Sequence, residues 1–219
     1  MINFRKKFIY LFLIIFLIIG SFASLNTGIS HDEYHEEENW KYNVSVSKSI
    51  SNKILFNKES DLDIKNYKDK YYGIGFQFIS QPIQFVLKKI VMQYQDVSEY
   101  GAKLISKHFV TFLFFFISGI AFFLIQKKII NNKNFCYFST LIYLFYPYLL
   151  GQSFFNPKDI PFMSVWLLCS YVSFNIFENL IKKNTIKNSN AIILGILTSY
   201  LLSIRITGIL ILLQYLITF

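Results

Sequence analysis

Apolar residues along this chain fall into five runs separated by polar stretches. The runs are Phe8 to Leu25, Phe109 to Ile125, Phe135 to Gly151, Pro161 to Ile181, and Ala191 to the last residue, Phe219. Each reaches the roughly 17 residues a helix needs to cross about 30 Å of hydrocarbon. Only structures that satisfy their own backbone hydrogen bonds survive there, so the pattern predicts helices. The expected fold is an all-α membrane protein of about five transmembrane helices. It divides into a first span (1–25), a long outer loop (26–107) and four further spans (108–219), the last cut short inside its apolar run. That missing tail suggests a fragment, a truncated gene or half of a split one.

The long loop has its own order. Ser30 to Asn39 reads SHDEYHEEEN, followed by a polar connector from Trp40 to Lys70. From Tyr71 to Met92 the pattern turns amphipathic. Ile79, Ile83, Val86 and Ile90 share one helical face, and Gln77, Ser80, Gln81, Gln84 and Lys88 share the other. Pro82 is expected in the first turn of that helix. Such a helix either lies in the outer membrane interface or packs on other loop elements.

Composition and charge sharpen the picture. The chain is 53% hydrophobic and 16% charged, with mean hydropathy +0.40. Soluble domains carry about 25% charge. Disordered chains, disulfide scaffolds and nucleic-acid-binding modules are excluded. Cys136 and Cys169 fall inside apolar runs and read as small packing residues. The net charge of +9 sits in three places: Arg5, Lys6 and Lys7; Lys127, Lys128 and Lys133; and Lys182, Lys183 and Lys187. The 26–107 loop balances 11 cations against 11 acids, and Lys158 balances Asp159. By the positive-inside rule the cationic side and the N-terminus are cytoplasmic, and the balanced loops face the periplasm or a lumen. A bacterial inner membrane is the expected location. The charge is a topology signal, with no nucleic-acid partner. A cleaved signal peptide is disfavoured because the first run is longer than an ordinary signal core.

Three groups can carry chemistry. Asp32 and Glu33 come seven residues after the first span, at the outer surface. Close carboxylates there can act as a general base or hold a divalent cation, or they form a solvated acidic face. His31 and His35 have zinc-protease spacing, but Asp32 stands where that motif needs Glu. The second group is Asn156-Pro157-Lys158-Asp159-Ile160-Pro161. Asn156 can cap a helix with Pro157 first and Asp159 third, or Lys158 and Asp159 are functional charges at the face of Asp32. Third is Arg205, expected in the outer half of the last span. There it can snorkel, pair with Asp159 or hold a phosphate. Glu178 is expected to pair with Lys182. Tyr143, Tyr146 and Tyr148 suggest an aromatic belt, and His108 an interfacial imidazole.

These residues and their topology resemble the family-39 type of C-fold glycosyltransferases, which includes protein O-mannosyltransferases and lipid A aminoarabinose transferases. Asp32-Glu33 resembles the family's first-loop acidic motif. GQSFFNPKDIPF, from Gly151, resembles the second-loop motif, with Asp159 as its acid. KHFVTFLFF, from Lys107, resembles the start of the second span, and SIRITG, from Ser203, a later span segment. YYGIGFQF, from Tyr71, replaces the Lys-Pro-Pro-Leu of the aminoarabinose subgroup, so that lysine's role does not transfer. The resemblance covers the N-terminal part of the family's fold only.

It implies an inverting transfer of a sugar from a polyprenyl-phosphate donor to a protein, lipid or glycan hydroxyl. Asp32 would be the base, or with Glu33 a metal site. Asp159 would assist, and Lys158 and Arg205 would bind phosphate. The resemblance names no certain cofactor, and a divalent cation is the one candidate. The alternative is a non-catalytic polytopic membrane protein or remnant, transporter-like, in which ionisable groups gather near mid-membrane.

Overall fold

The computed structural model describes residues 2–57, 67–69, 72–183 and 185–218, without the side chains of 2–8 and 183. The side chains of Arg5, Lys6, Lys7 and Lys183, and all of Tyr71, Phe219 and part of the polar connector, lie outside that description.

All regular structure among the described residues is helical. The elements are α1 (Ile2–Leu25), α2 (His31–Phe56), α3 (Gly75–Tyr94), α4 (Glu99–Ile129), α5 (Lys133–Phe145), α6 (Pro147–Gln152), α7 (Asp159–Lys183), α8 (Asn188–Ile204), a 3-10 turn (Ile206–Leu210) and α9 (Ile211–Thr218). Two helices among the described residues are long and apolar enough to cross a membrane: Glu99–Ile129 and Asp159–Lys182.

α4 is the axis of the fold. It packs against α1, α3, α5 and α7, and α7 packs against α8. One apolar core joins Phe16, Phe112, Phe115, Leu144 and Ile160. A second joins Phe76, Val110, Val165, Cys169, Leu201, Ile204 and Ile211. α1 meets α4 through Gly20, where a Cβ would lie 2.0 Å from the Phe112 ring. Outside this seam α1 exposes Leu11, Ile14, Ile15, Ile18, Ile19 and Phe22, an apolar surface suited to lipid.

Two of the expected spans are not single helices. The third breaks at Tyr146, which is extended (φ −62°, ψ 115°). Pro147 lacks an N–H and disfavours helical backbone in the residue before it. The fifth breaks at Arg205, extended at φ −148° and ψ 134°. Pairing of its guanidinium with a carboxylate outside the helix accompanies the break.

The long loop is also more regular than expected. Its acidic segment and the first part of the connector form one helix, α2, which ends at Asn57 in the left-handed region (φ 51°). Asn tolerates that conformation better than most residues. Helix α3 starts seven residues before Pro82, so the proline is interior and the Phe78 carbonyl receives no bond from it.

Helix α3 packs with its polar face inward. Gln77, Ser80 and Gln84 are buried, while Phe78, Ile79, Phe85, Val86 and Ile90 are exposed. An aqueous helix would do the reverse. Tyr143 also departs from expectation. Its hydroxyl lies 2.7 Å from Ser118 Oγ and its ring stacks on Phe122, so it belongs to the interior, whereas Tyr146 and Tyr148 are exposed.

At one end of the bundle Glu178 bonds Lys128 and Lys182. At the opposite end α2, α3 and the first turns of α4 form a polar cap.

Candidate functional site in the cap

Helical periodicity divides the acidic segment between two faces of α2. Residues four apart lie on the same face. Glu33 and Glu37 turn toward α4, while Asp32, His35, Glu36 and Asn39 turn toward a cavity.

The α4-facing side is an ionic layer. Glu33 Oε1 accepts from the Ser30 N–H at 2.7 Å, closing the first turn of α2. Its Oε2 lies 2.8 Å from His108 Nε2, and both side chains are fully buried. His108 Nδ1 lies 3.1 Å from Thr27 Oγ1 and 3.2 Å from the Ser24 carbonyl. The Thr27 hydroxyl also reaches the Phe154 carbonyl at 3.1 Å. The layer thus links the end of α1, α2, α4 and the turn before α7. Glu37 lies 2.5 Å from Lys103 Nζ and 3.8 Å from Lys107 Nζ.

The cavity is about 390 Å³ and opens outward. Its wall includes Asp32, His35, Glu36 and Asn39 from α2, Tyr72, residues 155–159, and Arg205. Asn156 caps α7: its Oδ1 accepts the Asp159 N–H at 2.9 Å, and its Nδ2 donates to Asp159 Oδ2 at 3.1 Å. Asn156 thus closes the turn into α7, but the helix starts at Asp159, so Pro157 lies in the turn and not at the first helical position; the same turn places two charges at the cavity. Lys158 Nζ sits 3.1 Å above the Tyr72 ring. Asp159 Oδ1 lies 2.5 Å from Arg205 Nη1. The break after α8 carries Arg205 into the wall.

A glycine holds the remaining side. A Cβ on Gly73 would stand 2.2 Å from the Ile204 carbonyl oxygen, so only glycine lets this segment seat against the end of α8. Asn39 Nδ2 donates to the neighbouring Tyr72 carbonyl at 3.4 Å.

The structure brings Asp32, Lys158, Asp159 and Arg205 to one cavity and leaves Glu33 out of it. Asp32 and Glu33 do not face one ion, because both Glu33 oxygens are committed to Ser30 and His108. Among the described residues no group of three or more His, Cys, Asp and Glu side chains is arranged to hold a metal. His108, expected at an interface, is fully buried.

Glu36 was not singled out by the sequence pattern, though its position four residues after Asp32 is the signal for it. Burial pushes its carboxyl above the ordinary carboxylate range, against the pull of Lys107, Lys158 and Arg205. The cavity thus combines cations, an exposed acid and a desolvated one, a set suited to binding a phosphate and moving a proton. No known protein family, curated protein or solved structure matches the chain.

Proposed function

We propose that the chain is a membrane glycosyltransferase, or its N-terminal part, acting on a polyprenyl-phosphate sugar donor at the cavity in the cap. The observation that carries this reading is the convergence of Asp32, Lys158, Asp159 and Arg205 on one cavity from three separate parts of the chain. The five apolar runs then act as spans, with α3 in the outer interface, apolar face toward lipid. The cap faces the periplasm or a lumen, opposite the cationic loops.

The chemistry follows from the residues. The donor's phosphate would sit at Arg205 and Lys158. Arg205 still has donors to offer beyond the one aimed at Asp159, and guanidinium matches phosphate geometry. Asp159 positions Arg205. Asp32, exposed at the mouth, takes the proton of the acceptor hydroxyl while that oxygen bonds the anomeric carbon from the face opposite the phosphate. The sugar–phosphate bond breaks, the anomeric centre inverts, and the phosphate leaves against the two cations.

The test is transfer of radiolabelled sugar from polyprenyl-phosphate donors by the protein in lipid nanodiscs, with solubilised membrane glycans, lipids and peptides as acceptors. Asp32→Asn should lower transfer about 10²–10⁴-fold. Arg205→Gln should lower it about 10²–10³-fold. Unchanged transfer in Asp32→Asn would remove the base assignment. Absence of transfer from every donor would favour a non-catalytic membrane protein. The break in the helix at Arg205 favours that second reading, since discontinuous helices line transport sites. The cluster of carboxylates in the cap, away from the middle of the bundle, speaks against it.

A further inference from the structure

Glu36 is a carboxylate of the cap that no described residue holds, and unlike Asp32 and Glu38, which are also unheld, it is not exposed. Asp159 is tied to Arg205 and Asn156, Glu33 to His108 and Ser30, and Glu37 to Lys103 and Lys107. Among the described residues no hydrogen bond or ion pair reaches Glu36. It lines both the main cavity and a void of about 10 Å³ behind it, also lined by Gln77. That space suits about one water. Two buried polar atoms near this wall make no hydrogen bond: Lys107 Nζ, which has only its longer ion pair to Glu37, and Gln77 Nε2, on residues 0% and 3% exposed.

The cations around Glu36 each have another contact, Lys107 pulls on it most strongly, and Asp32, His35, Lys68 and Asp69 line the same cavity. Lys107, on α4, is nearest to Glu37, and Arg205, from the break after α8, serves Asp159. Lys158, before α7, lies on Tyr72. Glu33, on its own helix, opposes ionisation. A half-buried carboxylate with no committed partner is easier to keep neutral than charged. Neutral, it is a hydrogen-bond donor, and a fully ionised phosphate accepts only.

We propose that Glu36 is a phosphate-binding residue that carries a proton in the ligand-bound cavity and donates it in a hydrogen bond to a phosphate held by Arg205 and Lys158. This deepens the sugar-transfer reading and rests on its assignment of the cavity to a phosphate-bearing lipid. No bond is made or broken at Glu36. Ionisation replaces a donor with a negative charge beside the phosphate, so affinity falls as pH rises.

The experiment measures binding of farnesyl phosphate to the protein in nanodiscs from about pH 5.5 to pH 8. Inorganic phosphate and farnesol run alongside, to separate recognition of phosphate from recognition of the chain. Wild type should lose about tenfold in affinity over that range beyond the loss shown by Glu36→Gln, whose amide keeps a donor at every pH. Equal pH slopes in the two proteins would overturn the role of Glu36 and leave the phosphate site intact. Failure of wild type to bind farnesyl phosphate better than farnesol at any pH would overturn the cavity assignment itself. Binding of inorganic phosphate as tight as farnesyl phosphate, with the same pH slope, would keep Glu36's role and reject the lipid as its source. Should Glu36→Gln fold poorly, infrared difference spectra of wild type decide the matter. Adding farnesyl phosphate must shift a protonated-carboxyl band, and its absence would overturn the proposal.

Discussion

The first turns and the middle of α4 are buried by opposite chemistry. Below its first turns the helix meets rings and branched chains: Phe112 and Phe115 pack with Phe16 and Leu144. In the cap the same helix offers Lys103, Lys107 and His108 to the carboxylates of Glu33 and Glu37. Apolar packing is tolerant, because a lost group costs in proportion to the area and space it leaves. A buried ionic layer is not, because each charge depends on a particular opposite charge. The cap therefore fixes one arrangement of α2 on α4, and with it the face that α2 turns to the cavity.

The largest effects should come from uncompensated change in either layer. Glu37→Ala leaves Lys107 buried without its carboxylate and should cost about 3–5 kcal/mol. Phe112→Ala should cost a similar 3–5 kcal/mol. Denaturant unfolding in mixed micelles checks both. The comparison sharpens in the double variants. Removing both partners, as in Glu37→Leu with Lys107→Met, should recover most of the loss, since a well-packed apolar pair often replaces an ionic one. No single partner change should rescue Phe112→Ala. If Glu37→Ala behaves like an exposed-site variant, the ionic layer contributes little and the contrast fails.

Next in size is Gly73→Ala. Its Cβ has only backbone to push against, the carbonyl oxygens of Ser203 and Ile204. A cost of about 1–3 kcal/mol is expected, with weaker farnesyl phosphate binding as Arg205 moves with the end of α8.

Glu36 should give a smaller effect with a particular sign. Its carboxyl is raised in the folded protein, so the folded state binds more protons than the unfolded state once pH exceeds the ordinary value of 4.5. Stability then falls as pH rises through the window between that value and the raised one. In Glu36→Gln that slope should disappear, making the variant the more stable protein on the alkaline side. Thermal midpoints across pH decide this. The smallest effect is Lys182→Ala at the far end. The pair is exposed and Glu178 keeps Lys128, so no measurable change in unfolding is expected.

The same contrast explains what the sequence could tell. Helices α4 and α7 were legible because apolar side chains cover them for many turns. The buried face of α2 was not. Its inward positions are Glu33 and Glu37, and a rule that reads charge as solvent exposure turns such a helix into a loop. Helix α3 was legible as amphipathic, yet its polar side proved to be the packed one, with Gln77, Ser80 and Gln84 bonded to one another. The break at Arg205 lay hidden in an apolar run, since the force that accompanies it comes from Asp159, far away in the chain. The charges of the site were legible where they interrupt or flank apolar runs, as at Asp32, Lys158, Asp159 and Arg205. Glu36 was one of five acids within seven residues, and only the turn of the helix separates it from Glu33 and Glu37.

The inward polar face of α3 also bears on how the protein is made. Gln77, Ser80 and Gln84 leave the ribosome before the stretch of α4 that will cover them. Until that later helix is in place, α3 has an apolar side ready for the bilayer surface and a polar side with nothing to dock on but water. Insertion of α4 therefore sets the moment at which the cap can close. A released chain that ends just before Glu99 should show the glutamine face of α3 accessible to labelling from water, and a chain that includes α4 should show that face protected.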